Sequence, residues 1–268
     1  RTAPGQLVQP SRMPEVRLAE LKRDRNMYDP FYNQKRPRIG GKLFPRELFV
    51  VPTVPGGAQR YRGRPADVAS GMDWILISVD CTFGKGVGRD RVAIEAWGVR
   101  AADRFLLDLF AQQMNILETI TEIVNMRARI NSWAPRKLRV VILEKAAYGE
   151  PVRDVMAPRI SQIQLYPVGQ RDKYARAQVT ETHYRSGNIW LPLPDVCPWL
   201  AGGGTGANGK EIADWATLHE RFTGEPGGED DEIDAESQAM IYINDEDAKR
   251  PPESALDRAK RMAEITGG

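Results

Sequence analysis

Residues 74–80 read Trp-Ile-Leu-Ile-Ser-Val-Asp, and no other stretch constrains the fold as strongly. Trp74–Val79 is an apolar run of strand length, β-branched in part, with turn residues beyond it. It ends on Asp80. An acid at the end of an apolar strand is costly to bury alone. It calls for a cation, a hydrogen-bonding loop or solvent.

The pattern after this strand is regular. A Gly-rich turn follows at Gly84–Gly88, then Val92–Val99 alternates as a second strand and Phe105–Phe110 reads as a third. Short turns between three strands make an antiparallel meander. From Gln112 to about Ile130 the apolar residues fall at helical spacing. Leu138–Leu143 is a fourth strand and ends at Glu144. Val152–Met156 belongs to a short helix, Ile163–Val168 to a fifth strand and Tyr174–His183 to a third helix. Asn188–Leu191 is a brief strand, Gly202–Gly209 a loop, and Ile212–Phe222 and Ile233–Ile243 read as helices. Strands joined by helices after an initial meander imply a mixed sheet with helices on its faces. The expected class is α/β, with a mixed five-stranded sheet in ribonuclease H-like order.

The ends of the chain differ from this middle. Residues 1–68 are rich in Pro, Gly and Arg and read as a basic extended arm, with a short helix at Pro14–Arg25. Residues 69–243 form the core domain. Residues 244–268 are a polar tail, with one helix expected at Glu253–Ile265. The chain does not begin with Met and shows no signal peptide, so a piece of a longer protein is expected. No apolar run approaches the roughly 18–20 residues of a membrane span. Two cysteines, Cys81 and Cys197, are too few for a disulfide scaffold or a cysteine zinc cluster.

Net charge is +2, which by itself argues against a nucleic-acid partner. The distribution reverses that argument. Arg1–Asp67 carries 14 Lys or Arg against 6 Asp or Glu, a balance of +8, so the remainder carries −6. Glu225–Glu236 holds seven carboxylates and no basic residue. Such a run is either a solvated loop or a cluster that gathers metal ions.

Asp80, Glu144 and the trio Asp230, Asp231 and Asp234 are the acids in unusual places. Each alone has a plain structural role: a strand-end acid can cap a turn, and an acid at a helix start can cap the helix. Together they suggest more. If the strands ending in Asp80 and Glu144 are parallel neighbours, the two acids emerge side by side. On a helix, Asp230 and Asp234 are i, i+4, and Asp231 and Asp234 are i, i+3, so each pair shares a face. A hard divalent cation with oxygen ligands best neutralises such a group. Two ions at roughly 3.5–4 Å suit phosphodiester hydrolysis.

Six blocks of residues resemble one family. They are Tyr32-Asn33-Gln34 with Pro37 and Gly41–Phe44; Ile77–Asp80; Leu143–Gly149; Asp172–Ala177 (DKYARA); Ser186–Pro192; and Phe222 with Glu229–Ala235 (EDDEIDA). In this order and spacing the chain resembles the C-terminal nuclease domain of the large terminase subunit of tailed bacteriophages. Two positions depart from the pattern. Lys145 follows Glu144 where the family often has a second acid, and Glu229 stands where it often has His.

The resemblance implies a metal-dependent endonuclease that cuts concatemeric viral DNA during genome packaging. Asp80, Glu144 and Asp231 would be catalytic. Asp80, Glu144, Asp230, Asp231 and Asp234 would supply the ligands for Mg2+ or Mn2+, two ions in all. Implied partners are double-stranded DNA, an ATPase domain in the intact chain, the small terminase subunit and the portal protein. No membrane is involved, and the implied location is the host cytoplasm. Two other classes compete. One is a junction-resolvase or transposase-like nuclease on the same fold. The other is a non-catalytic module that clamps DNA or docks the motor.

Basic residues supply the expected DNA contacts. Lys85 and Arg89, with Arg91, flank the Gly-rich turn near Asp80, although that turn can equally be a plain hairpin. Lys145 either neutralises the acids beside it or meets the scissile strand. Lys173 and Arg176, one turn apart, form either a phosphate clamp or a solvated helix face. Arg60, Arg62 and Arg64 interleave with Tyr61 in an arm suited to tracking a phosphate backbone without reading bases. Gly204–Lys210 fits the first part of a P-loop, but Glu211 replaces the Ser or Thr that would hold magnesium, so a surface insertion is expected. His183 and His219 receive no catalytic role. Trp74, Trp97 and Trp190 are expected in the core.

Overall fold

The computed structural model describes residues 42–49, 56–81, 90–145, 149–167, 172–201, 213–224 and 230–249. The expected helices at 14–25 and 253–265, the Gly84–Gly88 turn with Lys85 and Arg89, and the Gly204–Lys210 loop lie outside the described residues.

The strands are β1 (Gln59–Tyr61), β2 (Trp74–Asp80), β3 (Asp90–Arg100), β4 (Asp103–Met114), β5 (Leu138–Glu144), β6 (Ile163–Tyr166) and β7 (Ile189–Pro192). The helices are α1 (Pro65–Ala69), α2 (Ile116–Trp133), α3 (Gly149–Met156), α4 (Lys173–Arg185), α5 (Pro198–Ala201), α6 (Trp215–Arg221) and α7 (Asp231–Ala248). All seven strands form one sheet in the order β1-β7-β4-β3-β2-β5-β6. Only β3 runs against the rest, pairing antiparallel with β2 and β4, while the other neighbours are parallel. The run β4-β3-β2-β5-β6 is the meander followed by helix-linked strands in ribonuclease H-like order. The expected five strands thus form one contiguous run that ends at the β6 edge, and β7 and β1 extend the sheet beyond β4.

Period-two alternation in β2 sorts the core. Trp74 and Leu76 belong to the apolar cluster that includes Ile233, Ala239, Met240 and Ile243 of α7. Ile75, Ile77 and Val79 belong to the opposite cluster, with Ile120, Ile123, Met126 and Ile130 of α2. Ser78 and Asp80, in step with Trp74 and Leu76, therefore face α7. In β5, Val140 and Ile142 share that face while Val141 and Leu143 turn to the other. Glu144 follows on the α7 side.

Two expectations change. The helix expected from Gln112 begins at Ile116, because residues 112–114 continue β4 and pair with Asp90–Val92. The start is set by a capping box: Asn115 accepts from the Glu118 backbone N–H, and Glu118 accepts from the Asn115 N–H. The boundary at residue 68 also fails to divide the fold. Phe44 and Phe49 are buried against Tyr184 and His219, and Gln59–Tyr61 pairs with Trp190–Pro192. This part of the basic segment is core and sheet edge rather than extended arm.

Trp74 and Trp97 are buried, and Trp190 stacks on Phe105 at 5.5 Å, so all three pack as expected. Among the described residues no helix is long and apolar enough to cross a membrane.

Candidate metal centre

Strands β2 and β5 are parallel neighbours with Val79 beside Leu143. One residue further along each strand come Asp80 and Glu144, so the register puts these acids side by side. Asp80 is 4% exposed, and the Glu144 side chain is 26% exposed. The N-terminus of α7 supplies the remaining acids. Asp230 takes the cap position but makes no side-chain capping bond. It accepts instead from Lys173 Nζ at 2.8 Å. Capping therefore does not account for this aspartate.

Electrostatics link the group. Asp80 is raised well above the usual carboxylate range, first by burial and then by Asp234, Asp231 and Glu144, with Lys173 pulling the other way. Asp231 is pushed up to about 7, by burial first and then by Glu232, against the pull of Arg91. Asp80, Asp231 and Asp234 are each raised by burial first, with neighbouring carboxylates adding to it, so together they call for positive charge. All the donors are hard oxygens, which suits Mg2+ or Mn2+ and not a thiol- or imidazole-seeking metal. The residues present fit such ions. Among the described residues, no three His, Cys, Asp or Glu side chains form a group that could hold an ion. Protein cations occupy several of the oxygens. Lys173 lies 2.5 Å from Asp234, and Arg176 lies 3.1 Å from Asp234 and 3.5 Å from Glu144. Arg91 pairs with Glu232 and stands 3.7 Å from Asp231.

Two residues that sequence reasoning did not single out fix this geometry. Ser78 Oγ donates to the Ala235 carbonyl at 2.7 Å. Gln238 Nε2 donates to Ser78 Oγ at 3.1 Å and to the Ile142 carbonyl at 3.3 Å. The pair ties the start of α7 to both strands that end in acids. A signal was present: Asp231, Asp234 and Gln238 recur at i, i+3 and i+7 on a helix buried over Glu232–Ile243. Gln238→Ala is expected to cost about 1–3 kcal/mol, because the groups it satisfies stay buried. Urea unfolding followed by circular dichroism measures this.

The other basic positions separate. Lys145 is exposed directly after Glu144. Lys173 and Arg176 both pair with the acids, Arg176 buried and Lys173 with 37% of its side chain still exposed. Arg60, Arg62 and Arg64 lie in or just after β1, four strand positions from β2, which is roughly 19 Å at the usual spacing. Arg60 donates to the Pro192 carbonyl and Arg64 pairs with Asp67. His219 is buried against Glu236 at 2.6 Å, and His183 contacts Asn244. A groove of about 400 Å3 between β4 and α2, lined in part by Phe110, Met114 and Leu117, contains none of the site carboxylates.

The sheet order and the acids at its strand ends define a ribonuclease H-like domain with a carboxylate site. Solved structures similar to the chain include the large terminase of a thermophilic bacteriophage, at 14% identity and a TM-score of 0.48, over 87% of this chain and 54% of that one. The g2p (large terminase) nuclease domain of bacteriophage SPP1, with bound Mn, matches at 16% identity and a TM-score of 0.44, over 72% of this chain and 99% of that one. The human cytomegalovirus terminase nuclease domain matches at 13% identity and a TM-score of 0.40, over 64% of this chain and 85% of that one. The chain spans about half the length of the thermophilic phage's large terminase, 44% to 54% across two crystal forms. At these values the likeness assigns no activity to this chain. No protein-family model matches the chain, and no curated protein does.

Proposed function

We propose that this chain is a metal-dependent DNA endonuclease of the terminase type, which cuts concatemeric viral DNA during genome packaging. One observation carries the reading: Asp80 and Glu144 end neighbouring parallel strands beneath the acidic start of α7. The six ordered sequence blocks support the same conclusion. Mg2+ or Mn2+, two ions in this reading, would be held by Asp80, Glu144 and Asp231. When bound they would activate water and stabilise the leaving oxygen of a phosphodiester.

The chain's own groups do the rest. Burial of Asp80 strengthens its attraction for a cation, since the surrounding dielectric is low. Ser78 and Gln238 orient α7 over the strand ends. Lys145, exposed beside Glu144, would meet a backbone phosphate, a contact that positions DNA without reading its sequence. Lys85 and Arg89 would add to it from outside the described residues. Arg60, Arg62 and Arg64 would act, if on DNA, at a second place along the duplex. In the intact protein an ATPase domain, a small terminase subunit and a portal protein would be the partners, in the host cytoplasm.

The test is plasmid nicking by the purified chain with Mg2+, with Mn2+ and with EDTA. Cleavage that needs either ion and shows no preference for branched DNA is the expected result. A second reading, a module that clamps DNA without cutting it, is favoured by the protein cations already on Asp230 and Asp234. Intact DNA binding with no metal-stimulated cleavage would establish it instead.

A further inference from the structure

We infer that His219 is a positioning residue, the latch by which residues 42–49 and α6 hold the acid-bearing helix α7. Its bond to Glu236 makes the docking of that outer layer and the setting of α7 one event.

The latch follows from local structure. Asp214 accepts from the Thr217 N–H and starts α6. His219 sits one turn after Trp215, and its Nδ1 meets the Trp215 carbonyl at 2.8 Å. A carbonyl oxygen only accepts, so Nδ1 carries a hydrogen. Nε2 lies 2.6 Å from Glu236 Oε2, and one further proton must lie between these two atoms. Both side chains are 0% exposed. Away from water such a bond is strong, and leaving either partner alone is costly.

Aromatic rings enclose the imidazole. Trp215 stands 4.6 Å away, Phe44 5.0 Å and Phe49 5.1 Å. Lys42 and Arg46 pin the segment that carries both phenylalanines to α6, through Glu220 and Thr217. On α7, Glu236 and Gln238 are two residues apart, roughly 200° around the helix. Gln238 bonds the sheet through Ser78, and Glu236 bonds α6. The helix is therefore fixed from two sides, and its rotation depends on both. Asp231 and Asp234 lie within two turns of Glu236, so turning the helix moves them. Lifting residues 42–49 would open the imidazole to water and weaken the outer bond.

The experiment is hydrogen–deuterium exchange of the whole chain at fixed pH, read by mass spectrometry. The parent is compared with His219→Leu, His219→Gln, Phe44→Leu and the double variant of Phe44→Leu with His219→Leu. His219→Leu should raise exchange over residues 231–243 by at least about 10-fold, the loss of one charge-assisted hydrogen bond. Helix α2, on the opposite face of the sheet, should keep its parental rate. His219→Gln, whose amide can still donate to Glu236, should recover part of the protection. Phe44→Leu should loosen the same residues and add nothing once His219 is gone. A proton resonance downfield of the backbone amides, present in the parent and lost in Glu236→Gln, should report the bond itself. Equal loosening of α2, independent effects of Phe44→Leu and His219→Leu, or no such resonance in the parent overturns the latch. If His219→Leu does not fold, Phe44→Leu and the resonance decide by the same limits. Neither readout uses metal or DNA, so the coupling stands or falls apart from the proposed activity.

Discussion

Asp80→Asn is expected to reduce plasmid cleavage on the order of 10^3-fold or more, while the metal-free protein melts no lower than the parent. The two halves come from one cause. Asp80 is buried at the end of β2, and burial and three neighbouring acids disfavour its charge. An amide of the same shape removes that repulsion and leaves the strand and its register intact. The same amide cannot offer the negative oxygen that a divalent ion needs. A purely structural acid would behave differently: losing it would lower the melting temperature and leave cleavage to fall only as the fold does. Supercoiled-plasmid nicking with Mn2+, beside a thermal melt in EDTA, separates the two. Full cleavage by the folded variant would remove Asp80 from the site.

The metal-free protein is expected to lose stability as pH rises from about 5 to 8, and divalent ions should offset much of that loss. Asp231 titrates near 7 in the fold against an ordinary value of 3.8, and Asp80 is shifted the same way. Between the two values the native state binds more protons than the unfolded chain, so stability falls with increasing pH. The contribution is fully present below the unfolded value and is lost as pH passes through the folded one. Buried Glu95, raised by burial and then by Glu236, adds in the same direction. A single carboxylate shifted this far is worth roughly 2–4 kcal/mol, or at least about 5 °C in melting temperature for a domain of this size. Mn2+ replaces the protons at the site, so binding should release protons near pH 6. Melts across pH with EDTA or Mn2+ would show this. A metal-free melting temperature that climbs from pH 5 to 8 would contradict it.

The positions of Asp80 and Glu144 were legible because apolar runs define strand ends without any tertiary information. Trp74–Val79 and Leu138–Leu143 stop where the acids stand. The helix over 116–133 was legible from its period but not at its start. The Asn115–Glu118 capping signal was in the sequence, and the apolar spacing was followed past it into β4. Lys173 and Arg176 were visible as a basic pair one turn apart. Periodicity alone does not say which way a polar helical face points when its partner is acidic rather than apolar. The carboxylates of α7, 57 and 58 residues further along the chain, draw the pair toward them.

By itself, the sequence determined the inventory: two strands ending in acids, a helix opening in acids, and a basic segment ahead of them. Local propensity and patterning suffice for that, since each depends on neighbours within a few residues. Only the tertiary structure decided that β2 and β5 are parallel neighbours in register, so that Asp80 and Glu144 meet. Only it decided that residues 42–49 and 59–61 belong to the core and the sheet, and that the basic pair of α4 grips the acids of α7. Those outcomes depend on contacts between distant segments. Burying a charge far from water leaves few arrangements in which every carboxylate finds a cation.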